Sequence, residues 1–576
     1  MELATGFESI SRDGWRALAV EVLRKSGIET EAPEEALSTA TYDGVTVAPL
    51  YDLDDLPGDP GLPGEAPYVR GARGTPGWDV RQRHAAADPE AVLADLENGV
   101  TSLWLVVGDG AIPVDALGAV LKDVYLDLAP VVLEAGEQVR EAAEVLFGRG
   151  SAVRGNLGAS AVGGPGLELA RRCVGGFPGL GAVTVDATPY HDAGGGDAEE
   201  LGCSIAQGVA ELRALTDGGL SVEQALGQIE FRYAATADQF ATIAKLRAAR
   251  RLWARVAEVC GAAGHGGQRQ HAVTSSAMMT ARDPWVNMLR TTLACFAAGV
   301  GGAQAVTVQP FDACLGLPDA FSRRIARNTQ ALLLEESGLG RVIDPAGGSW
   351  YVERRTADLA ERAWAWFQEI EAAGGITRAA GLVSDRIAAT RARRAGDVAH
   401  RRFPITGVSE FPDVHEKPVR PPTPAQAASE TGGLPRVRYA EEFEALRDLA
   451  DAQPERPTVF LATIGPVAAH TARAAFAANL FQAGGLDTET AGPGADPEQI
   501  ATAFAVSGAS VACLCSTDKL YAQHAAAVAT ALRKAGARKV WLAGKGEYEG
   551  VDGNLYAGCD ALAVLRETFD DLEVTR

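Results

Sequence analysis

Cysteine is sparse in this chain of 576 residues: eight in all, at positions 173, 203, 260, 295, 314, 513, 515 and 559. No Cys-x-x-Cys pair occurs among them, which excludes a disulfide scaffold and a cysteine-built zinc site, and no metal centre is expected. Cys513 and Cys515 alternate within an apolar run and read as core thiols rather than a redox pair. Positive charge is also short. Lys and Arg number 53 against 75 Asp and Glu, a formal net charge of -22, which argues against a nucleic-acid or anionic-membrane partner, since both need basic patches. No apolar run is long enough to span a bilayer, and the N-terminus lacks the charged-then-apolar pattern of a signal segment. The expectation is a soluble, cytoplasmic protein of a reducing compartment.

What is present is ordinary and globular: 47% hydrophobic and 22% charged residues, over a length that calls for more than one core. Residues 11–26, SRDGWRALAVEVLRKS, read as an amphipathic helix with Trp15, Leu18, Val22 and Leu23 on one face. An extended arm follows at 51–67, with prolines at 57, 60, 63 and 67, which fix φ and remove backbone donors. Its apolar residues Tyr51, Leu53, Leu56, Leu62 and Tyr68 are too many for a free tail, so residues 1–66 are expected to form a subunit interface. From about residue 100, apolar strand patterns recur at 102–108, 129–135, 151–157, 181–187, 228–234, 271–276, 304–310 and 405–411. Helical patterns lie between most of them, notably at 237–259. Eight strands alternating with helices predict a (β/α)8 TIM barrel over 67–412. A proline-rich linker with one helix, 439–452, occupies 413–455. The last block, 456–576, repeats strand–helix units (457–465, 509–516, 539–545) and predicts a flavodoxin-like, doubly wound domain.

The stretches WDVRQRH (78–84), HAVTSSAMMTARDPWVNMLRTTLACFAAGVGGAQ (271–304), LPDAFSRRIARNTQALLLEESGLGRVIDPAGGSWYVE (317–353) and ITGVSEF (405–411) resemble the methylmalonyl-CoA mutase family. The resemblance covers about 65–415 and 455–576. It implies a barrel threaded by an acyl-CoA, with adenosylcobalamin between barrel and C-terminal domain and a radical carbon-skeleton rearrangement initiated by that cofactor.

The residues that would carry this chemistry are mostly missing. The family's cobalt-ligand motif, Asp-x-His-x-x-Gly, would follow the first strand of the last domain. The nearest histidine is His470, with Ala468 and Arg473 where Asp and Gly are needed; aligning on Gly465 instead puts Ala469 at the ligand position. An unoriented histidine is a weak ligand. Arg473 and Lys545 add bulk where the family keeps small residues. In the barrel, His191 matches the histidine that the resemblance places on the substrate thioester carbonyl. Gly155, however, stands where a glutamine is expected, Ala72 or Arg73 where a tyrosine is, and the carboxylate-binding arginine has no counterpart. His191 is therefore expected to be vestigial. DPAGGS (344–349) reads as a turn rather than a phosphate cradle, and Trp364, Trp366 and Phe367 as core or interface. GVGGAQ (299–304) precedes a strand and so is no dinucleotide fingerprint, and Glu335 and Glu336 read as a solvated helix face.

Within the family, this pattern of losses resembles the small, non-catalytic subunit. It implies a heterodimer with a large catalytic chain that interconverts methylmalonyl-CoA and succinyl-CoA in propionate metabolism, using adenosylcobalamin that the partner binds. This chain is expected to have no catalytic or cofactor-binding residues of its own. The alternatives are an active acyl-CoA mutase barrel that borrows a cobalamin domain from another chain, and a stand-alone acyl-CoA-binding regulator.

Overall fold

The structure, a computed structural model, describes residues 11–421, 423 and 433–574. Pro422 and Pro424 of the expected linker, and the first ten residues of the expected arm, lie outside that range. Eight parallel strands close a barrel: β1 (Asp79–His84), β2 (Ser102–Val106), β3 (Val131–Glu134), β4 (Gly155–Ala159), β5 (Leu180–Asp186), β6 (Ile229–Ala235), β7 (Arg269–Thr274) and β8 (Ala305–Thr307). The order is sequential, with β8 paired to both β7 and β1.

One of the eight expected strands was misplaced. Residues 405–411 form no barrel strand; they fold into a tight loop in which Gly407 N donates to Glu410 O at 2.7 Å. Ile405 and Val408 join the core beneath the C-terminal sheet, which explains their apolar character. The missing strand is β1, whose sequence DVRQRH carries no apolar alternation because its inward residues are arginines.

That polarity is general in the lumen. Residues of one parity, such as Val80, Leu103, Leu105, Val131, Val183 and Phe231, pack outward against the helices. The other parity turns inward and is polar. Arg81 donates to Ser102 Oγ at 2.8 Å and to Glu230 at 2.7 Å, and Arg232 to Asp186 at 2.7 Å.

The N-terminal helix α1 (Arg12–Lys25) starts at Ser11, whose hydroxyl accepts from Gly14 N. Of its expected apolar face only Leu23 is buried; Leu18 is 56% and Val22 63% exposed. A short antiparallel ribbon, Thr39–Ala40 with Thr46–Val47, follows. The Tyr51 ring packs tilted against that of Tyr351, centroids 5.1 Å apart, and the Tyr68 hydroxyl donates to Gly264 O at 2.9 Å. Parts of the arm thus seat on the chain's own barrel, while Leu53 and Leu62 stay exposed.

The long barrel helices are α2 (Asp197–Asp217), α3 (Gln239–Val259), α4 (Val286–Val300), α5 (Trp350–Ala372) and α6 (Ala380–Ala399). Trp366 of α5 is core: a Cβ on Gly202 of α2 would lie 2.5 Å from its ring, so only glycine permits this approach. The DPAGGS turn is a clasp. Asp344 accepts from Arg247 of α3 and from Arg70, and Glu353 accepts from Arg247 at 2.5 Å. Its amides are committed, Gly347 N to Asp344 O and Gly348 N to Glu353, so no anion cradle remains.

Beyond the barrel, α7 (Glu441–Asp451) carries Glu444, which accepts from Ala281 N at 2.6 Å and ties the linker to the rim. The C-terminal sheet, ordered β10-β9-β11-β12-β13, comprises β9 (Thr458–Thr463), β10 (Asp487–Thr490), β11 (Val511–Cys515), β12 (Lys539–Ala543) and β13 (Gly553–Leu555). It is all parallel, with the doubly wound 2-1-3-4-5 order. Helix α8 (Val467–Ala483) follows β9.

Truncating one partner of a buried ion pair strands the other without water. Arg247→Ala should therefore lower stability by about 3–5 kcal/mol, read from denaturant unfolding; an unchanged midpoint would refute the clasp.

Candidate functional site

The sites of this fold class lie at the C-terminal ends of the strands. In the barrel, β5 ends at Asp186 and runs into a one-turn helix, Thr188–Asp192, carrying His191. That helix turns the histidine inward: it is 3% exposed and lines neither of the cavities at the mouth. Its Nε2 lies 2.6 Å from Ser275 Oγ, and Nδ1 lies 3.8 Å from Glu200. Behind Glu200 sits Lys245 of α3, fully buried, at 2.7 Å from Glu200 and 2.9 Å from Asp197. Burial, helped by the Lys245 ammonium, pushes the His191 pKa down to about 3, so the ring is neutral. Burial likewise pushes Glu200 up to about 7, Lys245 pulling the other way.

The lumen below is closed by large polar side chains. The Arg232 guanidinium lies over the Trp104 ring at 4.1 Å, and the His271 ring meets the same indole edge-on at 5.3 Å. Arg232 Nε donates to His271 Nδ1 at 3.3 Å, which leaves Nε2–H to donate to Thr307 Oγ1 at 2.8 Å. Trp104, Arg232 and His271 are each at most 4% exposed. Gly155, where a substrate-facing glutamine was expected, cannot carry any side chain. A Cβ there would lie 1.8 Å from Val131 O, and one on Gly158 2.0 Å from Leu133 O. Backbone carbonyls of the adjacent strand occupy the space that a side chain would need.

The mouth itself holds two cavities. One, about 460 Å³, is lined by Arg83, Trp104, Asp192, Ser275, Arg436 and Arg438. The other, about 640 Å³, is lined by Glu134, Asp186, Tyr190, Gln207, Arg232 and Leu434. The linker segment 434–438 runs between them. Val437 N donates to Asp192 O at 2.8 Å and Tyr439 N to Ala277 O at 2.9 Å. Arg436 reaches the Asp192 carboxylate at 3.3 Å.

At the C-terminal sheet the crevice between β9 and β11 is where a doubly wound domain binds its ligand. Here Arg473 of α8 spans it, donating to Ser516 O at 2.8 Å and Asp518 at 2.6 Å. A Cβ on Gly544 would lie 2.9 Å from that guanidinium. Tyr521 closes the floor, its hydroxyl donating to Ala543 O at 2.8 Å and accepting from Ser516 N at 2.7 Å. His470 is 8% exposed on the same helix, and neither of its ring nitrogens has a hydrogen-bond partner among the described residues. A corrin with its nucleotide tail does not fit these residues: the space is taken by Arg473 and Tyr521. Lys545, the other bulky departure, lies with its ammonium 4.5 Å from the Tyr556 ring.

A sequence model described as methylmalonyl-CoA mutase matches residues 167–472. The chain belongs to the methylmalonyl-CoA mutase family. It is 57% identical to the methylmalonyl-CoA mutase small subunit of Streptomyces virginiae, covering 100% of this chain and 98% of that one. It is 45% identical to a probable methylmalonyl-CoA mutase small subunit of Mycobacterium tuberculosis (strain ATCC 25618 / H37Rv), over 92% of each. It is 39% identical to the small subunit of Propionibacterium freudenreichii subsp. shermanii, over 100% of this chain and 97% of that one.

Lys245, Glu200 and Arg232 escaped the reading of the sequence. A signal was there for two of them: Lys245 sits with Arg247 in the otherwise small and uncharged run ATIAKLRAA of α3, and Arg232 alternates with Glu230 in IEFRYAA of β6. A charge on an element that the fold encloses on both faces must be paired in the interior.

The depressed His191 pKa fixes a sign. The unfolded imidazole takes up a proton below about pH 6.5, while the folded one refuses it, so this contribution to stability is present above that pH and lost as pH falls. Imidazole NMR should show His191 neutral throughout about pH 5–8; a midpoint within that window would show a solvated ring.

Proposed function

We propose that this chain is the small, non-catalytic subunit of a heterodimeric methylmalonyl-CoA mutase, supporting a large chain that interconverts methylmalonyl-CoA and succinyl-CoA. In this reading the adenosylcobalamin belongs to the large chain, where it supplies the radical that starts the rearrangement. The observation that carries it is that both openings the chemistry needs are filled from within, the lumen by Arg232, Trp104 and His271 and the crevice by Arg473 and Tyr521. A threaded acyl-CoA would have to displace a buried guanidinium bonded to the half-buried Asp186 carboxylate and stacked on an indole. The names of the similar proteins point the same way, since a small subunit has a partner.

The outer surface fits the role of a docking partner. Trp285, which caps the start of α4, and Leu289 and Leu293 on it recur every four residues and are 45%, 67% and 44% exposed. Leu18 and Val22 of α1 add a second exposed apolar stripe. Contiguous apolar surface of this kind marks a protein interface, and homologous chains tend to pair through equivalent faces.

Two measurements check this. Titrating the purified chain with adenosylcobalamin should leave the cofactor spectrum unchanged; a histidine-ligated spectrum abolished by His470→Ala would overturn the reading. Leu289→Glu, alone and with Val22→Glu, should leave the unfolding transition in place but reduce co-purification with the large chain by more than about tenfold, as expected for an apolar anchor lost from an interface. Full recovery of the large chain by both variants would place the interface elsewhere.

A further inference from the structure

The N-terminal ribbon ends in a tight hairpin, with Thr41 N donating to Val45 O at 2.9 Å and Gly44 N to Thr41 O at 3.1 Å. Its tip reaches the barrel. Asp43 Oδ1 accepts from Ala198 N, in the first turn of α2, at 2.7 Å. The seat is close-fitting: a Cβ on Gly196 would lie 2.5 Å from that same oxygen. Tyr42 beside it donates to Asp397 at 2.8 Å and accepts, through its carbonyl, from Arg393 at 2.8 Å, and Val45 is buried.

The surroundings are crowded with carboxylates. The first turn of α2 contributes Asp197, Glu199 and Glu200. The nearest ammonium, Lys245 of α3, is committed to Asp197 and Glu200. On α6, Arg394 donates to Gly194 O at 2.6 Å, Arg393 holds Tyr42 O, and Arg386 stands 3.5 Å from Glu199. Glu199 itself accepts from Gly196 N at 2.9 Å and from Thr390 at 2.7 Å. His191 contributes no charge, and Arg355 of α5 and the phenol of Tyr439 also face the cluster through Asp197 and Lys245. Among the described residues no cation pairs with Asp43. An ionised Asp43 would thus be a further anion beside carboxylates whose one buried ammonium is already shared.

We propose that the N-terminal ribbon is a proton-dependent latch, whose tip carboxyl, Asp43, seats on the start of α2 in its protonated form and loosens as that proton is lost. Burial, then the charge of Asp197, pushes Asp43 up to about 7 against the Ala198 amide and the Lys245 ammonium, which both favour the anion, while Lys245 holds Asp197 below the usual range against the burial that opposes it. The direction follows. A detached Asp43 ionises near the ordinary aspartate value of about 4, whereas a seated one holds its proton to about 7, so docking takes up a proton in between. Docking is strongest at acid pH, weakens as pH rises towards 7, and levels off above it. The latch secures the segment that carries α1, so it controls how firmly that exposed apolar helix is presented.

Amide exchange on the full chain, corrected for the intrinsic pH dependence of the rate, tests this at residues 39–47 and at Ala198 N. Protection in the wild type should fall by up to about tenfold per pH unit between about 5 and 7. Asp43→Asn, which keeps an acceptor but cannot ionise, should stay protected at both ends of that range, and Asp43→Ala should be unprotected at both. Glu200→Gln should retain the wild-type pH dependence. Protection in the wild type that does not change with pH, or a pH dependence that persists in Asp43→Asn, would overturn the latch.

Discussion

A charge sealed from water must find its counter-charge inside the protein, and the rest of this structure depends on how that requirement is met in the barrel lumen. Arg81 meets Glu230 and Ser102, and Arg232 meets Asp186, Glu134 and the face of Trp104. Each pair joins side chains from different strands, so the pairs exist only when the barrel is closed and in register. Coulomb attraction at these distances is strong in a low-dielectric interior, yet it roughly offsets the cost of removing the ions from water. The lumen network therefore specifies the arrangement more than it stabilises it. Net stability comes from the outward-facing parity, where Leu103, Val131, Val183 and Phe231 pack against the helices.

The same network bears on function. A barrel that passes a long, thin substrate needs small residues inside it; one filled by Arg, Trp and His has no such passage. The doubly wound domain repeats the principle on a smaller scale, since Arg473 provides for itself the contacts that a ligand's polar groups would otherwise make with Ser516 O and the start of the next helix. In both places side chains of the chain itself occupy the interior: Arg232, Trp104 and His271 in the lumen, Arg473 and Tyr521 at the crevice.

The outer surface carries exposed apolar groups of its own. The stripe of Trp285, Leu289 and Leu293 lies on a barrel helix whose inner face is fully packed. The arm divides its residues in a similar way: Asp43, Val45 and Tyr68 serve the chain's own barrel, while Leu18, Val22, Leu53 and Leu62 face outward.

Much of this was legible in the residues. The alternation of apolar strands and helices gave the barrel and the doubly wound domain, because outward-facing parity and helix stripes are local patterns that burial imposes on neighbouring residues. That Ala468 and Arg473 flank His470 was visible for the same reason: these residues are close in sequence. Only the tertiary structure decided the rest. It assigned the first strand to 79–84 instead of 405–411, since a strand whose inward residues are arginines looks polar until its partners Glu230 and Glu134, one of them about 150 residues away, are brought to it. It showed that Gly155 cannot carry a side chain, because the obstacle is the carbonyl of Val131 on the next strand. It withdrew His191 from the mouth onto Ser275, 84 residues on, and joined it through Glu200 and Lys245 to the first turn of α2, where the ribbon tip seats. Sequence fixes which faces must be buried, since that depends on periodicity along the chain. Which charges meet inside depends on distances that only the closed fold sets.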